Sequence, residues 1–481
     1  MLDSDPLARR AELEPALRLA ADSAMRFLSG IDRDPVRLAG ADSTATAFDV
    51  PLPENGVGAV AVLNELAEIG SVAALRSAGP RFFHWATGGS TAAALGADWL
   101  TSAFDQNARF WANSPLACQL EEVSLNWLKD LLRLPAQWAG VLTSGATMAT
   151  YAGLAASRRW WGARHGVDVD EDGLAGLEPV PIFTSGWIHP TTIKVLAMLG
   201  VGRRRITILA RDGTGALDIE RLQAALKALG GEPAIVIANA GEVNTGLFDP
   251  IREMADLCQR HGAWLHVDGA FGLFARLTPR AALLTDGIEE ADSVASDCHK
   301  WLNVPYDCGF VFVRQAEFLE GAFRVGHAFI GETRLDFSSR SPENSRRARA
   351  LTVWATLKAY GRNGYRTMVE RHLELAQHLA IQVDAAPDME RLAPTPLNAV
   401  LFRYKPSGVQ ESRLDELNTR VGEAIMDDGR VYIGSTTSFG GPIGFRPVIL
   451  NWRTTEADVN LILDVVRQVG TRVAGMYLQE T

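Results

Sequence analysis

Residues 296–310 read SDCHKWLNVPYDCGF, and the reading of Lys300 within them decides the fold. The lysine follows a histidine at the end of a short strand-like run, Asp292–Ser296, and precedes a second run, Gly309–Val313. Upstream, WLHVDGAFG (Trp264–Gly272) ends another apolar run on Asp268. An amine and a carboxylate, each at the end of a buried strand, are what a pyridoxal phosphate (PLP) site requires. The amine forms a Schiff base with the aldehyde, and the carboxylate keeps the pyridine nitrogen protonated. A surface lysine and a helix-capping aspartate would read the same in isolation, so the rest of the chain has to decide.

Working outward, short runs rich in Val, Ile, Phe or Leu recur at Ala139–Thr143, Pro181–Thr184, Arg205–Ala210, Ala234–Ala238, Trp264–Val267, Ser293–Ser296 and Gly309–Val313. Helical stretches at Thr147–Trp161, Pro190–Leu199, Ile219–Leu229 and Pro250–His261 separate most of them. Strands joined by helical crossovers predict an α/β fold with a seven-stranded, mostly parallel sheet covered on both faces. Ligands of such sheets sit at the carboxyl ends of the strands.

Before the sheet, Ser114-Pro115 predicts a helix start that runs to about Leu132. Pro80–Ser90 (PRFFHWATGGS) suits a pocket wall, with Phe82 and Phe83 read as core packing. Asp5–Leu28, with Pro6 in its first turn, and Ala59–Ser77 have helical periodicity. GVGAVA at 56–61 imitates a dinucleotide fingerprint, but no strand precedes it. After Arg314 a polar stretch leads to a basic run, Ser345–Arg349, and a long helix, Ala350–Ala385. Runs at Ala399–Tyr404, Arg430–Ile433 and Gly444–Leu450, with helices at Ser412–Asp427 and Glu456–Leu478, predict a small C-terminal α/β domain. The expected division is 1–79 as an N-terminal helical dimerisation segment, 80–349 as a large PLP-binding domain and 350–481 as the small domain.

The 481 residues carry a formal net charge of −10 and are 47% hydrophobic. An acidic balance argues against nucleic acid or an anionic membrane surface as partner. No apolar run reaches membrane-spanning length, and no signal-peptide core is expected near residues 1–19. The four cysteines (Cys118, Cys258, Cys298, Cys308) have no paired metal-ligand spacing and point to a reducing compartment, so a cytoplasmic enzyme is expected.

TSGATMAT (143–150) joins the first strand to a helix, where small residues let amides approach an anion; Ala146 and Thr147 are the candidate phosphate donors. TSGWIHPTT (184–192) ends the next strand on His189, whose ring would stack on a pyridine face. Asp268 would hold the pyridinium by a charge-assisted bond, and Ala270 would pack small against the other face. His299 either contacts phosphate or substrate or holds the loop. An amino acid on such a cofactor loses CO2 when its Cα–carboxylate bond stands perpendicular to the ring, and transaminates or eliminates when Cα–H does; orientation decides.

SDCHKWLNVPYDCGF, LHVDGAFG, GWIHPTT and NAGEVNTGLFDP together resemble the group II PLP-dependent amino-acid decarboxylases, which include the glutamate and aromatic-L-amino-acid decarboxylases. The resemblance runs from about Pro80 to the C-terminus. It implies the type I PLP-enzyme (aspartate aminotransferase-like) fold, a homodimer with shared sites, and decarboxylation of an L-amino acid to its amine. It further implies Lys300 as the Schiff-base lysine, Asp268 as pyridine partner, His189 and Ala270 on the two ring faces, and Ala146 and Thr147 in the phosphate cup. Ser345 falls where the neighbouring subunit supplies a phosphate contact, and Arg446 where an arginine meets the substrate carboxylate. PRFF and ADWLTSAFDQNAR resemble the glutamate decarboxylase side of the family: Trp85 would line the substrate pocket, with Asn107 and Arg109 reaching in from the other subunit, and these polar groups would favour a polar or acidic side chain, while Trp111 would suit an aromatic one.

Three departures from the family pattern carry consequences. Asp297 stands where many members have asparagine near the phosphate, and an anion there needs a compensating partner. Glu242 and Val243 replace threonines at the ring edge. The mobile loop of aromatic decarboxylases carries a tyrosine that protonates Cα, yet residues 315–350 contain none; His327, Phe329 and Phe337 stand nearest by position. An aldehyde-forming decarboxylase, another PLP lyase or aminotransferase, and an inactive PLP-binding scaffold are the alternatives.

Overall fold

The structure, a computed structural model, describes residues 7, 10–211, 213–324 and 336–479. Seven strands form the large sheet: β1 (Ala139–Thr143), β2 (Ile182–Thr184), β3 (Ile206–Ile208), β4 (Ile235–Asn239), β5 (Trp264–Asp268), β6 (Ser293–Asp297) and β7 (Gly309–Val313). Their order is β1-β7-β6-β5-β4-β2-β3. Neighbours from β3 through β6 are parallel, while β7 runs antiparallel to both β1 and β6. The central strands β4 (IVIAN) and β5 (WLHVD) are buried almost throughout, as unbroken apolar runs must be when helices cover both faces. At the edge, β3 is partly exposed.

The helices begin where their caps permit. Ser114 Oγ accepts the Ala117 amide at 3.1 Å, starting Pro115–Leu131. Asp218 accepts the Glu220 and Arg221 amides, each at 3.0 Å, starting Ile219–Ala228. The helix Ala350–Ala385 is kinked at Gly361, whose φ is 61°.

A second sheet, antiparallel, has the order β10-β11-β9-β8, with β8 (Met389–Arg391), β9 (Phe402–Tyr404), β10 (Ser435–Thr437) and β11 (Ile443–Phe445). Helices Glu411–Asp428 and Glu456–Gln479 share a hydrophobic core with it, separate from the core around the large sheet. Here the structure departs from the sequence reading. Residues 430–433 form no strand, Tyr432 making one isolated bridge to Phe82, and β8 and β10 were not foreseen. These strands are three residues long and partly polar, below what periodicity resolves. Phe83 packs in the second core, and its backbone bonds Tyr432 and Val448, each at 3.0 Å. That ties residues 80–90 between the two cores.

Near the N-terminus, Leu13–Gly30 buries only Ala16, and Ala59–Ala73 buries no residue. Leu13, Leu17, Val62 and Leu66 are exposed. Gly58 precedes the second of these helices with no strand before it among the described residues, and Glu12 Oε2 accepts the Ala59 amide at 2.9 Å. Among the described residues no helix is long and apolar enough to cross a membrane.

Candidate active site

The carboxyl ends of the large-sheet strands open into a cavity of about 860 Å³. Trp85, Ala146, Thr147, His189, Asp268, Ala270, His299, Lys300 and Arg446 all line it. A smaller cavity of about 410 Å³, at the amino-terminal ends of β5 and β6, holds none of the sequence candidates.

Lys300 lies on a loop pinned from within. Asn303 Nδ2 donates to the carbonyls of Lys300 at 3.2 Å, Trp301 at 3.0 Å and Leu450 at 3.0 Å, and Trp301 is fully buried. Gly88 packs against the Lys300 carbonyl so closely that a Cβ there would lie 1.7 Å from its oxygen, so any other residue would displace the loop. The Lys300 ammonium sits 3.0 Å from Asp297 Oδ2. Asp297 Oδ1 accepts the Ala146 amide at 2.5 Å, the first N–H of the helix Ala146–Arg164, and lies 3.4 Å from His299 Nε2. Gly145 caps that helix at φ 154°, a conformation that favours glycine. The compensating partners that Asp297 requires are therefore Lys300 and a helix amide 151 positions away in sequence.

Asp268 ends β5 with its carboxylate oriented by two donors, the Ala270 amide at 3.1 Å and Thr192 Oγ1 at 3.3 Å. His189 caps the helix Pro190–Met198. Its Nδ1 accepts the Thr191 amide at 3.3 Å and lies 2.6 Å from Thr191 Oγ1, so the neutral ring carries its proton on Nε2. Burial lowers the His189 pKa, with the Asp268 charge opposing. Burial also lowers that of His299, whose ring stacks on Tyr306 at 4.2 Å.

Arg446 is 6% exposed, and burial pulls its pKa down to about 10. Nη1 donates to the Val243 carbonyl at 3.1 Å, while the buried Nε has no hydrogen-bond partner among the described residues. Glu242 is occupied by Asn244 Nδ2 at 2.7 Å and by the Thr245 amide and hydroxyl at 2.8 and 2.9 Å. Trp85 and Ala86 hold φ values of 57° and 56°, strained for residues with a Cβ. Beside them His84 is pushed down to about 4 by burial and then by Arg446.

Other sequence candidates stand apart from this cavity. Asn107 Oδ1 accepts the Arg346 amide at 3.0 Å, and Ser345 is exposed; neither lines the cavity. Arg109 lies over the Phe110 ring, and Trp111 packs against the main core. Phe337 is buried beneath Arg346. His327 and Phe329 lie outside the described residues. Tyr306, Trp187, Asn244, Thr436 and Phe439 line the cavity without having been foreseen. Tyr306 was visible in the opening stretch, six positions past Lys300; Thr436 and Phe439 come from the C-terminal segment and gave no local signal.

The donor set fits PLP: a primary amine and an oriented carboxylate face one cavity, a helix-start amide that Asp297 holds lines it with Thr147, and Ala270 is a small residue on its wall. Residues 47–405 match the family described as the pyridoxal-dependent decarboxylase conserved domain. The chain is 30% identical over 408 residues to an aromatic-L-amino-acid decarboxylase of Bacillus atrophaeus, covering 83% of this chain and 82% of that protein. It is 30% identical over 427 residues to an L-2,4-diaminobutyrate decarboxylase of Rhizobium meliloti, covering 86% and 83%. Among solved structures, mouse CSAD in apo form matches with a TM-score of 0.88 at 25% identity, over 97% of this chain and 99% of that one. Oryza sativa TDC with PLP and tryptamine matches in fold with a TM-score of 0.88 at 24% identity, over 96% and 98%. The architecture is that of the type I PLP enzymes, and the chain belongs to the group II pyridoxal-dependent decarboxylase family, carboxy-lyases that use PLP to decarboxylate amino acids.

Proposed function

We propose that the chain decarboxylates an L-amino acid to its amine, with Lys300 as the amine that tethers PLP. The Lys300 and Asp268 side chains opening into one cavity carry this reading. Bound PLP supplies the electron sink that accepts the pair left when CO2 departs. Asp268, oriented by Thr192 and Ala270, would face the ring nitrogen. His189 and Ala270 would hold the two ring faces, and the Ala146 amide and Thr147 the phosphate. Arg446, with its Nε lacking a partner, binds and orients the substrate carboxylate. His299 braces the lysine loop through its stack on Tyr306.

A proton must replace CO2 on Cα. Tyr306 is the one phenol among the described residues lining the cavity, and its hydroxyl lies 3.3 Å from Thr87 Oγ1. We assign it the proton that residues 315–350 have no tyrosine to deliver. The cavity also exposes Trp85 and Phe439, which favours a substrate with an aromatic or apolar side chain.

The working unit is a homodimer. The exposed apolar faces of Leu13–Gly30 and Ala59–Ala73 would clasp the partner, supporting the division into a dimerisation segment (1–79), a cofactor domain (80–349) and a small domain (350–481). Asn107 and Ser345, off their own cavity, would then serve the partner's. Four buried free cysteines fit the reducing cytoplasm.

The test is CO2 release across the proteinogenic L-amino acids with PLP present, with products identified. One amine formed in step with CO2 is expected. Aldehyde with ammonia, or a keto acid without CO2, would overturn the assignment.

A further inference from the structure

We propose that Asp297 makes cofactor loading proton-coupled: the phosphate enters the cup at Ala146 together with one proton, which the Asp297–His299 pair takes up. This rests on the reading of Ala146 as a phosphate donor and Lys300 as the tethering amine.

Asp297 has a side chain only 4% exposed, and its Oδ1 already holds the Ala146 amide that a phosphate would use. Lys300 at 3.0 Å and His299 at 3.4 Å are its cationic or protonatable contacts among the described residues. Once the Lys300 amine condenses with the cofactor's aldehyde, releasing water, it is committed elsewhere. A phosphate monoester brings about −1.5 to −2 charges at neutral pH. Two anions competing for one buried amide disfavour full ionisation of both, and a proton on the pair relieves the repulsion.

The groups facing this pair come from several elements. Asp268 stands at the end of β5, His189 at the start of Pro190–Met198, and Asp307 across the loop; Arg446 acts on His189 from the C-terminal segment. The Cys298 thiol is buried and neutral, its pKa raised by burial. None of these supplies Asp297 with a second cation in contact.

The sign follows from linkage. Without cofactor, burial disfavours the charged form of His299, and the Lys300 ammonium at 3.0 Å faces the Asp297 carboxylate. The complex binds more protons than the free protein, so PLP affinity is highest at low pH and falls as pH rises.

The experiment titrates the full-length apoenzyme with PLP, reading tryptophan fluorescence, from about pH 7 to about pH 9, for wild type, Asp297→Asn and Asp297→Ala. Both substitutions remove the charge, and only asparagine adds a donor. The wild-type Kd divided by either variant's Kd is expected to grow up to about tenfold per pH unit. The ratio cancels the ionisation of the ligand, and any change in Lys300 on losing its 3.0 Å contact with Asp297 is common to PLP and pyridoxal. With pyridoxal, which lacks the phosphate, the ratio should stay flat. If the variants fail to fold, a wild-type PLP affinity that falls no more steeply than its pyridoxal affinity above about pH 7.5, where the phosphate is a dianion, overturns the proposal. A pH-independent PLP ratio, or the same growth with pyridoxal, also overturns it. Wild-type protein that neither binds PLP nor gains absorbance near about 420 nm would instead remove the underlying site reading.

Discussion

Glu121 and Asp297 are both buried carboxylates that accept a backbone amide and face a cation, yet their surroundings give them different work. Glu121 accepts the Leu142 amide at 3.0 Å and grips Arg346 through both oxygens, at 2.7 and 3.1 Å. Arg346 in turn donates to the carbonyls of Ala108 and Leu142, and both side chains are 1% exposed. Neither partner can leave, and the pair fastens the loop before Ala350–Ala385 to β1. Asp297 has the same ingredients, an amide at 2.5 Å and a cation at 3.0 Å, but its cation lies on the wall of a cavity of about 860 Å³. Burial and pairing alone therefore do not separate a structural carboxylate from a functional one; an accessible, exchangeable partner does.

The largest effect expected is at Lys300. Lys300→Ala should abolish the absorbance near about 420 nm and lower CO2 release on the order of 10³-fold or more, while the protein stays folded. Glu121→Ala should act on stability, costing about 3–5 kcal/mol in denaturant unfolding because Arg346 is left as a buried, uncompensated charge. If Lys300→Ala destabilised the protein as much as Glu121→Ala, the contrast between the two clusters would collapse. The smallest effect is expected at Ser345, beside Arg346 but pointing away from it functionally. Ser345→Ala should raise the Kd for PLP by roughly 2–10-fold, the loss of about 0.5–1.5 kcal/mol for one hydrogen bond, with no change in the unfolding midpoint. An unchanged Kd would remove the proposed phosphate contact of Ser345.

Much of this was readable along the chain. β1, β7 and the helix Ala350–Ala385 have the boundaries expected from their apolar runs. His189, Asp268 and Lys300 were legible because each ends or follows a strand, and strand ends of a parallel sheet converge. The pairing of Asp297 was not, because its amide partner is 151 positions away, on the helix after β1, and only the insertion of β7 between β1 and β6 brings the two together. The family pattern points to residues 315–350 for a tyrosine, whereas the phenol lining the cavity, Tyr306, sits on the lysine loop itself.

By itself the sequence determined the mostly parallel sheet, the candidate residues at its strand ends and the family, because apolar periodicity and short motifs are local properties of the chain. The tertiary structure alone decided which charges touch. It set the Lys300 ammonium and the Ala146 amide on one carboxylate, left the Arg446 Nε without a partner among the described residues, and kept Ser345 and Asn107 off the cavity. Contacts between residues so distant in sequence depend on how strands are ordered and helices packed across the whole sheet, and no local pattern encodes that order.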